Sequence, residues 1–180
     1  VAFFSETKLN GTPRSSINVG LIDGGTSINS IPFLARAKVD IRSESNAKMD
    51  ELVGLLNTAV ERAQDQENQR ATGGRVAAKV KEIGARPAAE LNEETPLLNY
   101  VRAVDAHLGI RSRLDCSSTD ANIPLSIGIP AVSIGAGGQG GGAHTPKEWY
   151  SPEGRDLGLK RIFLTLNLLL RDPRIERIVE

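Results

Sequence analysis

Sulfur and imidazole are scarce in this chain. Its 180 residues hold one cysteine, Cys116, and two histidines, His107 and His144. One thiol excludes an internal disulfide framework and a cysteine-rich zinc site. Excess charge of either sign is also missing, since 22 basic residues face 22 acidic ones. A nucleic-acid or membrane-surface partner would call for a basic surplus, so neither is expected. No apolar run is long enough to span a bilayer, and no signal peptide is visible. The expected location is cytoplasmic. Length and an ordinary apolar content allow one domain or two small ones.

Glycine, by contrast, is concentrated. Gly137-Gly138-Gln139-Gly140-Gly141-Gly142 leads into Ala143-His144-Thr145-Pro146. Glycine lets backbone approach a ligand closely or take positive φ, and such a run is costly to order. It follows Pro130-Ala131-Val132-Ser133-Ile134, which reads as a buried strand. A histidine behind a pliant loop suits a metal ligand or a catalytic group; a surface histidine is the plainer alternative. Gly135 to Gly140 formally matches a dinucleotide fingerprint. That fingerprint needs a helix opening at the glycines, and here Pro146 and Pro152 intervene. No Walker lysine follows either.

Periodicity divides the rest. Ser16 to Ile22 and Leu34 to Arg42 alternate as strands, the second with Arg36, Lys38, Asp40 and Arg42 on its wet face. Ser45 to Asn68 carries Met49, Leu52, Val53, Leu56, Val60 and Ala63 at helical spacing. Val76 to Ile83 alternates again, which suits a small α+β layer. Thr95-Pro96 then opens a helix that Gly109 stops near Leu108. A domain boundary is placed just before it, giving 1–92 and 93–180. Further expectations are a strand near Arg111 to Leu114, a short helix towards Ile127, and the Pro130 strand. A last helix should start at Ser151-Pro152-Glu153 and run to about Arg171, burying Leu157, Ile162, Phe163, Leu166, Leu169 and Leu170. The second half therefore reads as α/β.

Single residues say less. His107 suits a helix C-terminal dipole, and Cys116 reads as a small core residue. Asn29 ends a glycine-containing turn and Arg42 ends a strand. An arginine fork and an amide can hold a carboxylate, but taken alone a turn-stabilising asparagine and a surface arginine explain them better. A zinc centre needs three or four ligands. The chain has no H-x-D and no H-E-x-x-H.

Together, Asn18-Val19-Gly20, Gly24 to Pro32, Val39-Asp40-Ile41-Arg42-Ser43, Ser118-Thr119-Asp120-Ala121-Asn122, Gly128-Ile129-Pro130-Ala131 and Gly141-Gly142-Ala143-His144-Thr145 resemble the di-zinc exopeptidase and amidohydrolase family. That family includes peptidase T, aminoacylase, glutamate carboxypeptidase and succinyl-diaminopimelate desuccinylase. The resemblance covers nearly all of the chain and implies part of a ferredoxin-like α+β lid domain, then the C-terminal part of an α/β zinc-peptidase-like catalytic domain. His144 matches the last metal ligand, on one of two zinc ions. Asn29 and Arg42 match lid residues that grip the substrate carboxylate. Ser118 falls where relatives often place a glycine whose backbone contacts substrate.

The implied activity is hydrolysis of peptide or N-acyl amino acid substrates by a metal-activated water, in a homodimer joined through the lid. The H-x-D ligand pair, bridging aspartate and glutamate base of the family have no match here, nor does the lid's first half. The expectations that follow are a C-terminal portion inactive alone, with uncovered apolar faces and a tendency to associate. Two readings stay open beside it: a non-enzymatic dimerisation or interaction module, and an N-acyl or N-carbamoyl amidohydrolase on the same fold.

Overall fold

The computed structural model describes residues 2–9 and 11–173. It is a mixed α/β chain with two small antiparallel sheets, divided into two compact units, Val1–Ala89 and Glu90–Glu180.

The first unit opens with a short helix α1 (Ala2–Ser5). Its Phe4 is buried, and its Phe3 ring lies 4.2 Å below the Arg62 guanidinium. Strands β1 (Ser15–Gly24) and β2 (Ala35–Ser43) form an antiparallel hairpin, with Ser15 opposite Ser43, Gly24 opposite Ala35, and a bulge between Val19 and Leu21. Helix α2 (Asn46–Arg70) packs on β2. Ser45 caps it by accepting a hydrogen bond from the Lys48 amide at 3.3 Å, which satisfies one of the free amides of the first turn. Of the helix's apolar stripe, Leu52 is completely buried while Val53 is 43% exposed. The stripe is wide enough for a larger sheet than two strands supply.

The second unit is built on α3 (Pro96–Leu108) and α5 (Arg155–Leu170), which pack together. Between them in sequence lie α4 (Asn122–Ser126) and a small hairpin of β3 (Gln139–Gly141) and β4 (Trp149–Ser151). Leu98, Val101, Val104 and Asp105 form the buried stripe of α3, at the three- and four-residue spacing that puts side chains on one helix face. Gly109 ends α3 in the left-handed region, and the Ile110 amide reaches back to the Asp105 carbonyl at 2.8 Å, as glycine C-caps do. Thr95 occupies the N-cap position but makes no side-chain cap; its buried hydroxyl has no partner among the described residues.

Several sequence expectations are corrected. Val76 to Ile83, Arg111 to Leu114 and Pro130 to Ile134 are not strands. A period of two needs a neighbouring edge to become a strand, and none of these pairs with another among the described residues. Part of the glycine run is a strand instead, β3. Helix α5 starts at Arg155, three residues later than expected, after Gly154 at φ 78°. Ser151 ends β4, and its hydroxyl accepts the Glu153 amide in a turn before the helix. The buried residues of α5 are Gly158 and Thr165, whereas Phe163, Leu166 and Leu170 are more than half exposed. Small side chains let helix backbone come close, so the contact forms there and not along the leucines. Cys116 is exposed, not core, and its amide donates to the Asp115 carboxylate at 2.9 Å.

Candidate functional site

Arg42 lies on the hairpin's open end, opposite Ser16. Its Nε donates to the Asp40 carboxylate at 2.6 Å, and the side chain is 57% exposed. The two terminal nitrogens make no other ion pair among the described residues, so the fork can still accept a planar anion. Asn29 lies in the loop of residues 25–34, which joins the strands at their other end. The Ser27 hydroxyl bonds its Oδ1, and the Asn29 amide donates to that hydroxyl at 3.4 Å. Ala35 and Arg42 are seven residues apart on β2, roughly 23 Å at strand rise. The hairpin therefore keeps the loop's attachment and the guanidinium at opposite ends, and no hydrogen bond joins Asn29 to Arg42. Ile28, Ile31 and Phe33 of the same loop are wholly exposed.

In the second unit, the glycine run is pinned rather than loose. An added Cβ at Gly137 would come within 2.8 Å of the Arg155 Cα, and one at Gly158 within 2.1 Å of the Ala136 carbonyl carbon and the Gly137 nitrogen. Backbone thus packs on backbone where the run meets the start of α5, and only glycine fits that approach. The Tyr150 hydroxyl donates to the Gly137 carbonyl at 3.3 Å, tying β4 to the same point.

His144 sits at the tip of the β3–β4 hairpin. It is exposed, and it is the one non-glycine residue with positive φ (65°) among the described residues. The left-handed region is uncommon for a side chain with a Cβ, and such strain collects at functional sites. Thr145 holds the turn: its hydroxyl donates to the Gly142 carbonyl at 2.7 Å and accepts from the Lys147 amide at 3.2 Å, and the Glu148 amide donates to its carbonyl at 3.1 Å. The sequence reading missed this role of Thr145. Its signal was a hydroxyl one residue beyond the histidine, with proline next.

Ser118 is exposed in the polar segment before α4. The adjacent Thr119 and Asn122 organise that segment. The Thr119 amide donates to Asn122 Oδ1 at 2.9 Å, and the Ala121 amide to the Thr119 hydroxyl at 3.3 Å.

The described residues contain no group of three His, Cys, Asp or Glu side chains able to hold a metal ion. His144 is therefore a single donor, and the donor set present does not fit a zinc centre of three or four ligands.

A polar group absent from the sequence reading lies at the centre of the second unit. Asp105 is buried and takes both ends of the Arg161 fork, Nε to Oδ1 at 2.5 Å and Nη2 to Oδ2 at 2.7 Å; the Ser112 hydroxyl also donates to Oδ2. Burial alone pushes the carboxyl pKa up. The Arg161 and Ser112 hydrogen bonds and the Arg161 charge together outweigh that and hold it below 3.8. The clue in sequence was a charge on each of two apolar helix faces, 56 residues apart. Tyr100 donates to Asp172 at 2.7 Å and further joins α3 to the segment after α5.

Comparison with known proteins bears on the first unit most directly. Residues 4–68 match the family profile of the peptidase dimerisation domain. A search of curated proteins finds no match. Among solved structures, the aminopeptidase PepT from Bacillus cereus superposes with a TM-score of 0.62 at 20% identity, over 91% of this chain and 43% of that one. The chain thus spans less than half the length of that protein. At this identity the likeness is one of fold. Among the described residues no helix is long and apolar enough to cross a membrane.

Proposed function

We propose that this chain is a part of a zinc-dependent exopeptidase: the second half of a lid or dimerisation domain (1–92) followed by the C-terminal part of a catalytic domain (93–180). The observation that carries the reading is the dimerisation-domain match over residues 4–68. The fold likeness to an aminopeptidase over 91% of the chain and the strained backbone at His144 add support. Peptides or N-acyl amino acids are the substrate class, and the lid joins two copies.

The chain's own residues have positioning roles in this reading. Arg42 presents a partly free guanidinium, suited to the substrate's terminal carboxylate, which fixes where the scissile bond lies. Asn29 offers its side-chain amide nitrogen to a carboxylate. The separation along the hairpin means that the two act at different points of one substrate or on different substrates. Ser118 offers exposed backbone to substrate. His144 supplies one metal ligand, its imidazole held outward by the Thr145 turn.

Because the remaining ligands and a general base have no match in this chain, the 180-residue protein should not turn over substrate by itself. The test is hydrolysis of dipeptides and N-acyl amino acids with added zinc. Negligible turnover is expected. Turnover that chelator abolishes but that survives His144→Ala would remove His144 from the site.

A further inference from the structure

The β3–β4 hairpin has three residues in each strand, which is too little to stand alone in water. Its first strand is poor even for that size. Gly140 and Gly141 of β3 carry no side chain, and glycine weakens a strand. Sheets are stabilised by side chains that meet across neighbouring strands. Opposite Gly140 and Gly141 stand Tyr150 and Trp149 of β4. The two rings must therefore make this hairpin's contacts against bare backbone.

Successive residues of a strand face opposite ways, and the two rings meet different glycines. Tyr150 lies on Gly138, where an added Cβ would come 2.6 Å from its Cζ, and its hydroxyl donates to the Gly137 carbonyl. Gly137 rests on Arg155, so Tyr150 fixes the base of the hairpin to the start of α5. The Trp149 indole lies on Gly141 instead. A Cβ there would sit 2.7 Å from Nε1, 3.1 Å from Cε2 and 3.3 Å from Cζ2. Gly141 has no positive φ, so its backbone conformation does not demand glycine. The close approach of the indole does.

That contact is one residue away from the turn that carries His144. The Gly142 carbonyl accepts both the Thr145 amide at 3.0 Å and the Thr145 hydroxyl at 2.7 Å. Gly142 itself has φ 67° and packs against Lys147, whose carbonyl oxygen lies 2.6 Å from an added Cβ. Gly142 is thus the anchor of the turn, and its place follows from that of Gly141. Residues 142–148 are all exposed. No core contact holds the turn, so its hold has to come through the neck of the hairpin.

We propose that Trp149 is a positioning residue for His144. Its indole clamps Gly141, which fixes the Gly142 carbonyl. That carbonyl holds Thr145, and the Thr145 turn keeps His144 in the left-handed conformation with no ligand bound. The imidazole is then set in place beforehand, and no ligand has to supply the ordering. The role of His144 as a site residue rests on the peptidase reading; the hold of Trp149 on its conformation does not.

The test is nuclear magnetic resonance on the full chain in metal-free buffer. A residue with positive φ brings its own amide and Hα hydrogens close together, so His144 should show a strong intraresidue NH–Hα Overhauser effect. Trp149→Ala should lose it, together with exchange protection of the Thr145 and Glu148 amides, which bond within the turn. Resonances of α3 and α5 should stay unchanged. Trp149→Phe, which keeps a ring at the neck, should restore the effect. Gly141→Ala should lose it too, because the new Cβ displaces the indole. Added to Trp149→Ala it should do nothing more, since the two residues act through one contact. An Overhauser effect missing from the wild type, retained in Trp149→Ala, or lost equally in Trp149→Phe would overturn the proposal. So would additive effects of the two substitutions. Movement of the α3 and α5 resonances in Trp149→Ala would assign the tryptophan to the fold of the unit instead of to His144. No arm involves metal or turnover, so failure here is separate from failure of the hydrolysis test.

Discussion

Replacing Asp105 by asparagine should cost the second unit about 3–5 kcal/mol, the range for removing one partner of a buried ion pair. The figure rests on geometry. The Asp105 and Arg161 side chains are only 5% and 11% exposed, and the contact is bidentate. Asparagine keeps the shape and one acceptor but removes the charge, so the guanidinium stays buried without a counter-ion. A double replacement, Asp105→Leu with Arg161→Met, should recover most of the loss, because apolar pairs of similar volume replace buried ion pairs at little or no net cost. The chain's single tryptophan, Trp149, lies in this unit, so its fluorescence through a urea titration reads the relevant transition. Acid provides a second arm. A carboxyl held below 3.8 in the folded state contributes stability that is complete above that unfolded value and is lost as pH falls through the folded one. Wild-type protein should lose stability below about pH 4, and Asp105→Asn should lack that component. A loss under 1 kcal/mol for the single variant, or a double variant that merely adds two losses, would refute the reasoning.

Two further substitutions test the glycine hairpin. Gly158→Ala should destabilise by about 1–3 kcal/mol or more, because the new Cβ meets backbone that must move; urea titration on Trp149 checks it, and a neutral result would mean that α5 does not lie against Ala136 and Gly137. His144→Gly should stabilise by about 1 kcal/mol, since a residue with a Cβ costs about 1–2 kcal/mol in the left-handed region; a thermal melt that falls instead would show that the imidazole, and not strain, dominates there.

Much of the fold was legible where local signals agree. The alternation of Leu34 to Arg42, the period of α2 and the Pro96 to Gly109 helix are strong local patterns, and each element formed within a residue or two. Legibility failed where the outcome depends on a distant partner. Val76 to Ile83 has strand alternation but no adjacent strand, so side-chain amides hold it instead. At α5, Ser-Pro-Glu resembles a helix start, but Gly154 in the left-handed region sets the true one. The leucines of α5 suggest a buried face, yet Gly158 and Thr165 allow the closest approach and take it. Asp105 and Arg161 pair across 56 residues, which no window of sequence spans. At the candidate site, the glycines flagged the His144 region, but neither its positive φ nor the Thr145 hydroxyl that fixes the turn can be read from composition. The separation of Asn29 and Arg42 was implicit in the strand length between them and becomes plain only when the hairpin register is known.

In the proposed reading, His144 is one ligand of a zinc centre whose other ligands have no match in this chain. Elemental analysis of the purified 180-residue protein, dialysed against metal-free buffer, tests it most directly. Zinc near zero per chain is the expected result, because one imidazole falls short of the three or four ligands that such a centre needs. One or two zinc ions retained per chain would contradict the claim and place a complete site within these residues.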